Sequence, residues 1–417
     1  MSAISLHEAR RRTAYTAEDE LGQRPFAPLL DEEVAPTINA KPFIWRDPRT
    51  IPPRQFLYGR HYARKYVSGT VAQSGIGKSS LGMVEDLAMV TGRPLLGVRP
   101  VRPLKVWYWN GEDPEEEIER RFAAIMLHYE IEPREVEGRL FFGSGRDAPI
   151  VLATMGSNGA VIAEPVAEAV EQEILAKGID CLVLDTFVST HGVSENDNGA
   201  IDRVAKRWAK IAGRTNAAVE LIHHVRKGQS GSGAELTVED SRGAVALIGA
   251  TRAMRVLNPM TVDEAAKGNV PPERRRLHFR IDSATGKANM APPMEKAAWY
   301  QLVSVALGNG TDDDPEDHVG VVTEWNLPGV FDDVSTADLR AVQQAVNAKK
   351  WRADAQSKDW AGHAVAGVLE LDLSEPAAKQ KIKQILAAWT KNGMFREVQG
   401  TDAKRNPRTF LEVSEWA

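Results

Sequence analysis

Apolar residues along this chain arrive in short continuous runs, separated by longer stretches with a helical period. Runs at 66–72, 105–110, 139–142, 180–185, 217–222, 253–257 and 277–282 predict strands. Helical periodicity falls at 78–91, 114–129, 162–177 and 199–213. Cys181-Leu182-Val183-Leu184 is apolar without alternation, as in a strand covered on both faces. Strands separated by helices predict an α/β fold around a mostly parallel sheet. After about residue 215 the helices thin out, and strands following one another predict an antiparallel extension. No internal repeat is visible.

The flanks read differently. Residues 1–40 are charge-rich with little apolar period and predict a flexible tail, with one short helix near 6–15. From 41 to 62, prolines alternate with aromatics, as in Pro42-Phe43-Ile44-Trp45, which predicts an extended segment laid across a domain. Residues 306–318 are rich in Gly, Asp and Pro. Hence the expected organisation is a tail (1–40), a main α/β domain (41–305), a linker (306–332) and a C-terminal domain (333–417). In that last segment, helical runs at 336–350, 357–370 and 376–392 precede two strands, Met394–Val398 and Thr409–Val413. Helices closed by a hairpin predict a small winged-helix-like domain.

Composition narrows the classes. The chain has 417 residues, 43% hydrophobic and 26% charged, as in a water-soluble globular protein of two domains. No run of 18 apolar residues exists, so no membrane partner is expected. The polar start lacks a secretion signal, and the lone Cys181 cannot form an internal disulfide. A cytoplasmic location is therefore expected. Net charge is −5, so nucleic-acid contact must come from local basic patches. One such patch spans 376–410. Its eight basic residues (Lys379, Lys381, Lys383, Lys391, Arg396, Lys404, Arg405 and Arg408) face two acids, Glu397 and Asp402. The Thr401–Arg408 turn then forms a basic wing able to grip phosphates through Lys404, Arg405 and Arg408.

The candidate chemistry centres on Ala72-Gln73-Ser74-Gly75-Ile76-Gly77-Lys78-Ser79-Ser80. Strand, glycine-bearing turn, Gly-Lys-Ser and helix are the phosphate-binding P-loop. Backbone amides from Ser74 to Ser80 curl around phosphates, and the helix N-terminus adds positive potential. Lys78 reaches the β- and γ-phosphates of ATP, and the Ser79 hydroxyl reaches Mg²⁺. Ala72 stands where the pattern usually has its first glycine, which predicts a tighter start to the turn.

Three further strand ends carry chemistry. Asp185 closes Ile179–Leu184 and is the Mg²⁺ candidate. Glu112 follows Trp107-Tyr108-Trp109-Asn110-Gly111 and is the candidate catalytic base, while Asp113-Pro114 opens the next helix. One histidine of the pair His223-His224 is placed to sense the γ-phosphate. Arg226 and Lys227, at the base of the small-residue loop Gly228–Ala234, suit a single-stranded phosphate backbone. Arg242 suits DNA or braces that loop. Arg252, with Arg255 as second choice, is the candidate arginine for the γ-phosphate. It would come from a neighbouring subunit, since no finger lies near the first three strand ends. No Zn-ligand spacing occurs.

Ala72–Ser79, Trp107–Pro114, Cys181–Thr186, Leu221–Lys227 and Ser241–Arg252 follow the order and approximate spacing of the plasmid RepA replicative helicases, which are RecA-like, DnaB-related hexameric ATPases. Gly286-Lys287-Ala288-Asn289 also resembles that family's late Lys-Ala-Asn segment. The resemblance covers roughly 56–292. It implies a RecA-like fold, a hexameric ring, ATP with Mg²⁺, movement on single-stranded DNA and contact with replication proteins. It implies His224 as γ-phosphate sensor, Arg252 as the finger acting in trans and Lys287 as a second trans cation. The N-terminal extension and the C-terminal domain are additions to the minimal family form, and the layout looks like ATPases of phages and mobile elements. Two other functions stand beside a helicase: a DNA-bound ATPase switch or loader without unwinding, and a small-molecule kinase. The basic loop and basic C-terminal domain argue against the kinase.

Overall fold

The computed structural model describes residues 39–157, 159–225, 235–240, 244–402 and 404–417. The chain divides into two units, Met1–Pro53 and Arg54–Ala417. Most of the expected tail thus lies outside the described residues. Among the described residues of the first unit, 39–47 forms neither helix nor strand, and a 3-10 turn, Pro48–Thr50, is closed by the Asp47 carboxylate accepting from the Arg49 amide.

The second unit opens with a hairpin, β1 (Phe56–Tyr58) and β2 (Tyr62–Ala63). Strands β3 (Val67–Ala72), β4 (Val106–Asn110), β5 (Leu140–Ser144), β8 (Cys181–Asp185), β10 (Ala218–His224) and β11 (Ala253–Pro259) then form the parallel half of the main sheet. Their spatial order is β5-β4-β8-β10-β3-β11, all parallel. The sheet continues antiparallel through β12 (His278–Ile281), β14 (Ala298–Ala306) and β15 (His318–Trp325), with the short β13 (Lys287–Ala288) also paired to β11. A small side sheet joins β6 (Ala153–Gly156), β7 (Gly159–Ile162) and β9 (His191–Gly192).

Cores form on both faces of the sheet, as continuous apolar strands require. One face packs α1 (Lys78–Thr91) and α2 (Glu115–His128) against Tyr108, Cys181 and Val183. A four-residue turn, α3 (Pro133–Val136), follows. The other face packs α4 (Glu164–Lys177), α5 (Asn198–Thr215) and α6 (Ala244–Ala250) against Leu182, Leu184 and Val219. Crossovers thus place helices on both sides of the sheet and bring the parallel strand ends to one edge.

The expected linker is a correction. Residues 307–317 form a hairpin loop joining β14 to β15, and β15 is a full edge strand of the ATPase sheet. Val321 and Val322 are fully buried, the Tyr129 hydroxyl donates to Val322 O at 2.7 Å, and Val322 N donates to Ser80 Oγ at 3.0 Å. The core therefore extends to Trp325, not 305. Gly, Asp and Pro-rich sequence marks hairpin turns as well as linkers, and composition alone does not separate the two.

A short helix, α7 (Val262–Lys267), follows β11. The C-terminal segment has α8 (Thr336–Asn347), β16 (Trp351–Arg352), α9 (Gly362–Leu369), α10 (Pro376–Lys391), β17 (Phe395–Thr401) and β18 (Pro407–Val413). Its sheet has the order β16-β18-β17, antiparallel. Its own core gathers Val342, Val365, Ile382, Ile385, Trp389 and Phe395.

Candidate active site

The P-loop follows β3 directly. Ala72 is the last residue of β3, in register with His224 of β10 and Leu257 of β11, and its carbonyl accepts from Val225 N. An extended strand residue needs no positive φ, so Ala replaces the usual glycine without tightening the turn. The glycines that matter are Gly75 (φ 81°) and Gly77 (φ 109°), both in the left-handed region. Gly77 caps α1, so the N-cap residue offers no side chain to the first-turn amides. Those donors face the turn, as an anion site requires.

Lys78 is buried at 8% exposure, yet it makes no ion pair among the described residues. Burial pushes its ammonium below the usual lysine range, and the nearby carboxylates of Asp185 and Glu112 work against that fall. A buried cation without a paired partner is costly unless an anion arrives to meet it. Together with the uncapped helix start and the glycine turn, this fits a polyphosphate. The Ser80 hydroxyl accepts from Val322 N at 3.0 Å, which ties the start of α1 to β15.

Asp185 ends β8 in register with Asn110 and Ile222. The Tyr108 hydroxyl donates to its Oδ2 at 2.8 Å, and the Gly111 amide donates to its carbonyl at 2.7 Å. Glu112 sits just past the end of β4, where Asn110 Oδ1 accepts from both the Glu112 and Asp113 amides at 2.8 Å. The Thr186 hydroxyl donates to Glu112 Oε1 at 3.3 Å. Asp113 is held by Arg121 at 2.9 Å and its carbonyl by the Ser144 hydroxyl at 2.7 Å. Arg146 donates to the Glu112 carbonyl at 2.7 Å. Gly111 is demanded by crowding: a Cβ there would stand 2.1 Å from Ser189 Cβ. Tyr108, Asn110, Thr186, Ser144 and Arg146 were not singled out from the sequence. Asn110 carried a signal, being a polar residue before glycine at the end of an apolar strand. The others are identified only by the fold.

The histidine pair resolves by strand alternation. His224 faces the P-loop, with Nδ1 3.4 Å from Ser74 Oγ. His223 is buried on the other face beside Phe187, 3.9 Å from Glu195.

Arg252, Lys287 and Arg255 lie elsewhere. The Arg252 amide donates to Val67 O at the start of β3, five residues and about 16 Å of strand from Ala72. Its exposed side chain cannot reach its own P-loop. Lys287 lies at the same edge, its Nζ donating to the carbonyls of Ile248 and Thr251, and burial followed by the charge of Arg252 lowers its pKa. Arg255, the second finger candidate, is structural. It forms a bidentate pair with Glu85 at 2.6 and 2.5 Å and donates to Thr70 Oγ1 at 2.8 Å. Burial opposes its charge, but Glu85 more than offsets this and holds its pKa well above normal. Arg226, Lys227 and Arg242 lie outside the described residues. Lys404, Arg405 and Arg408 are exposed around the 402–406 turn, where the Asp402 carboxylate accepts from the amides of Lys404 and Asn406.

Residues 35–230 match the AAA domain family. No curated protein matches the sequence. Among solved structures, the crystal structure of the RadB recombinase is similar over 58% of this chain and 89% of that chain, at 13% identity and a TM-score of 0.38. The AAA match, with the strand, P-loop and helix geometry, supports a RecA-like P-loop ATPase core, and such a domain suggests nucleotide hydrolysis. Among the described residues, no helix is long and apolar enough to cross a membrane.

Proposed function

We propose that this chain is a Mg²⁺-dependent ATPase stimulated by DNA, working as a ring, in most cases a hexamer, that translocates on or unwinds single-stranded DNA during replication of a mobile element. The single observation that carries the ATPase part is Lys78, a buried unpaired cation above an uncapped helix start, with Asp185 and Glu112 beside it. ATP would be held by Ser74 to Ser80, through backbone donors and the Lys78 ammonium. Mg²⁺, which supplies charge neutralisation for phosphoryl transfer, would be held by Ser79 and Asp185. Glu112, kept in place by Thr186 and by the Asn110-braced turn, accepts the proton of the attacking water. His224 reads the γ-phosphate position from beside Ser74. Arg252 and Lys287 stand on the far edge of the sheet, where they suit a neighbouring subunit's nucleotide rather than their own. That placement supports a shared site.

The DNA part rests on charge. Arg226, Lys227 and Arg242 are proposed to follow the single strand, and the basic turn with Lys404, Arg405 and Arg408 to grip phosphates. The helix-strand-helix-helix-strand-strand order of the C-terminal segment supports a winged-helix reading. A DNA-bound ATPase switch or loader is the second reading, favoured by the C-terminal addition, which a minimal translocase does not need.

ATP turnover with and without single-stranded DNA, paired with strand displacement on a forked substrate, tests both. Turnover stimulated by DNA with displacement supports the helicase. Stimulated turnover without displacement assigns the switch. Turnover indifferent to DNA overturns both readings.

A further inference from the structure

A cleft lies away from the P-loop, at the edge of the main sheet that carries Lys287. The β1–β2 turn, the start of β11, β13, the start of β14 and residues 291–294 border it. Its volume is about 170 Å³. A cavity of about 150 Å³ holds one benzene-sized ring, so a single ring is the right scale. Tyr58, Ile281 and Tyr300 line it and belong to the buried core around α1. Those walls are therefore in place before anything binds, as in most small-molecule sites. The remaining wall, 291–294, is a coil of Ala, Pro, Pro and Met.

The charges at the cleft do not all cancel. Glu85 and Arg255 are its most enclosed polar groups, and they neutralise each other. His61 is taken up by Glu220 at 2.9 Å. Arg60, exposed in the β1–β2 turn, and Lys287 make no ion pair among the described residues. Asp282 is the one acid left, and its Oδ1 accepts from the Ala284 amide at 2.8 Å. Two cations thus face one acid. Lys287 gives two of its three N–H donors to the carbonyls of Ile248 and Thr251, which leaves one for a further acceptor. Burial and then the charge of Arg252 lower its pKa, so its ammonium lacks a counter-charge.

We propose that this cleft binds a small aromatic carboxylate, its ring among Tyr58, Ile281 and Tyr300 and its acid group on Lys287 and Arg60. A neutral ring leaves both cations unanswered, and an inorganic anion leaves the apolar walls bare. Only a molecule with both parts meets both features. Bound there, the ligand engages Lys287, the cation proposed above to serve a neighbouring subunit's nucleotide, so the two would compete for it. That consequence rests on the shared-site reading. The binding itself does not, and it is measured without nucleotide, so the two readings fail separately.

The test titrates benzoate, benzyl alcohol and acetate separately into the full chain by calorimetry, with thermal unfolding to confirm that each variant folds. Benzoate is expected to bind saturably and roughly tenfold tighter than benzyl alcohol, with no acetate binding below about 10 mM. Arg60→Gln/Lys287→Gln should erase that preference while leaving benzyl alcohol within about twofold of the parent. If the double variant does not fold, Arg60→Gln alone, at an exposed turn, should lose part of it. Ala291→Trp fills the cleft from its coil wall and should abolish binding of both rings, and Pro292→Trp carries the same comparison if that variant does not fold. Absence of saturable benzoate binding overturns the proposal. Acetate binding as tightly as benzoate also overturns it, because the cations then form a plain anion patch. So does undiminished benzoate binding by a folded Trp variant, which places the ligand elsewhere.

Discussion

Two arginines three positions apart, Arg252 just before β11 and Arg255 within it, show how little a residue type says without its surroundings. Arg255 is almost enclosed, and its pair with Glu85 ties β11 to α1, the helix that starts at Lys78. Breaking such a pair leaves a buried charge alone, at a cost of about 3–5 kcal/mol. Arg255→Met should therefore lower stability by that amount in a chemical denaturation series. Glu85→Leu/Arg255→Met together should recover most of it, since apolar replacement removes both charges. Recovery of less than half would mean the pair does more than neutralise itself. At Glu112 the expectation is chemical. Glu112→Gln preserves shape and the Asn110-braced turn, so nucleotide binding should persist while single-turnover hydrolysis falls roughly 10²-fold or more. Hydrolysis within a few-fold of the parent would reduce Glu112 to a turn residue.

At the scale of elements, β15 is the informative case. It buries its own Val321 and Val322 in the core, accepts from Tyr129 and engages Ser80 within the P-loop helix. Deleting it exposes an antiparallel edge and strips contacts from α1 and α2. Truncation to residues 1–305 should give insoluble or cold-labile protein, whereas 1–328 should melt cooperatively and still hydrolyse ATP. Equal behaviour of the two truncations would return β15 to the status of a tether. The nearby 306–318 sequence read as a linker because Gly, Asp and Pro mark any reversal of the chain. Only the pairing of Val303 with Val321 and of Ala306 with His318 identifies it as a hairpin.

For the whole molecule, the decisive fact is that the proposed phosphate-binding residues and Arg252 occupy opposite edges of one sheet. Lys78, Asp185, Glu112 and His224 follow or close the C-terminal ends of parallel strands, and Arg252 precedes one. Arg252 cannot close that distance within one chain, so the γ-phosphate role proposed for it requires a second copy. Arg252→Ala should bind ATP yet lose about 10³-fold or more in turnover, and being exposed it should melt like the parent. Mixing it with Lys78→Ala should restore measurable turnover once subunit exchange is demonstrated, because an intact P-loop then meets an intact arginine. Absence of recovery at every ratio, with exchange proven, would count against a shared site, and a fully active monomer would end the ring proposal.

What the sequence determined by itself was local and periodic. Continuous apolar runs specified strands covered on both faces, helical period specified α1, α2, α4 and α5, and the Gly-Lys-Ser turn marked the phosphate site before any fold was known. Those signals survive because they depend on neighbours within one or two turns of chain. What only the tertiary structure decided depends on partners far apart in sequence. Tyr108 meets Asp185 across 77 residues, Arg255 meets Glu85 across 170, and Ser80 meets Val322 across 242. Strand alternation in its paired register turned His224, rather than His223, toward the P-loop. Parallel pairing decided which ends of the strands share an edge, and so placed Arg252 out of reach of its own site. Burial then made the difference between a lysine in a loop and one whose charge awaits a partner.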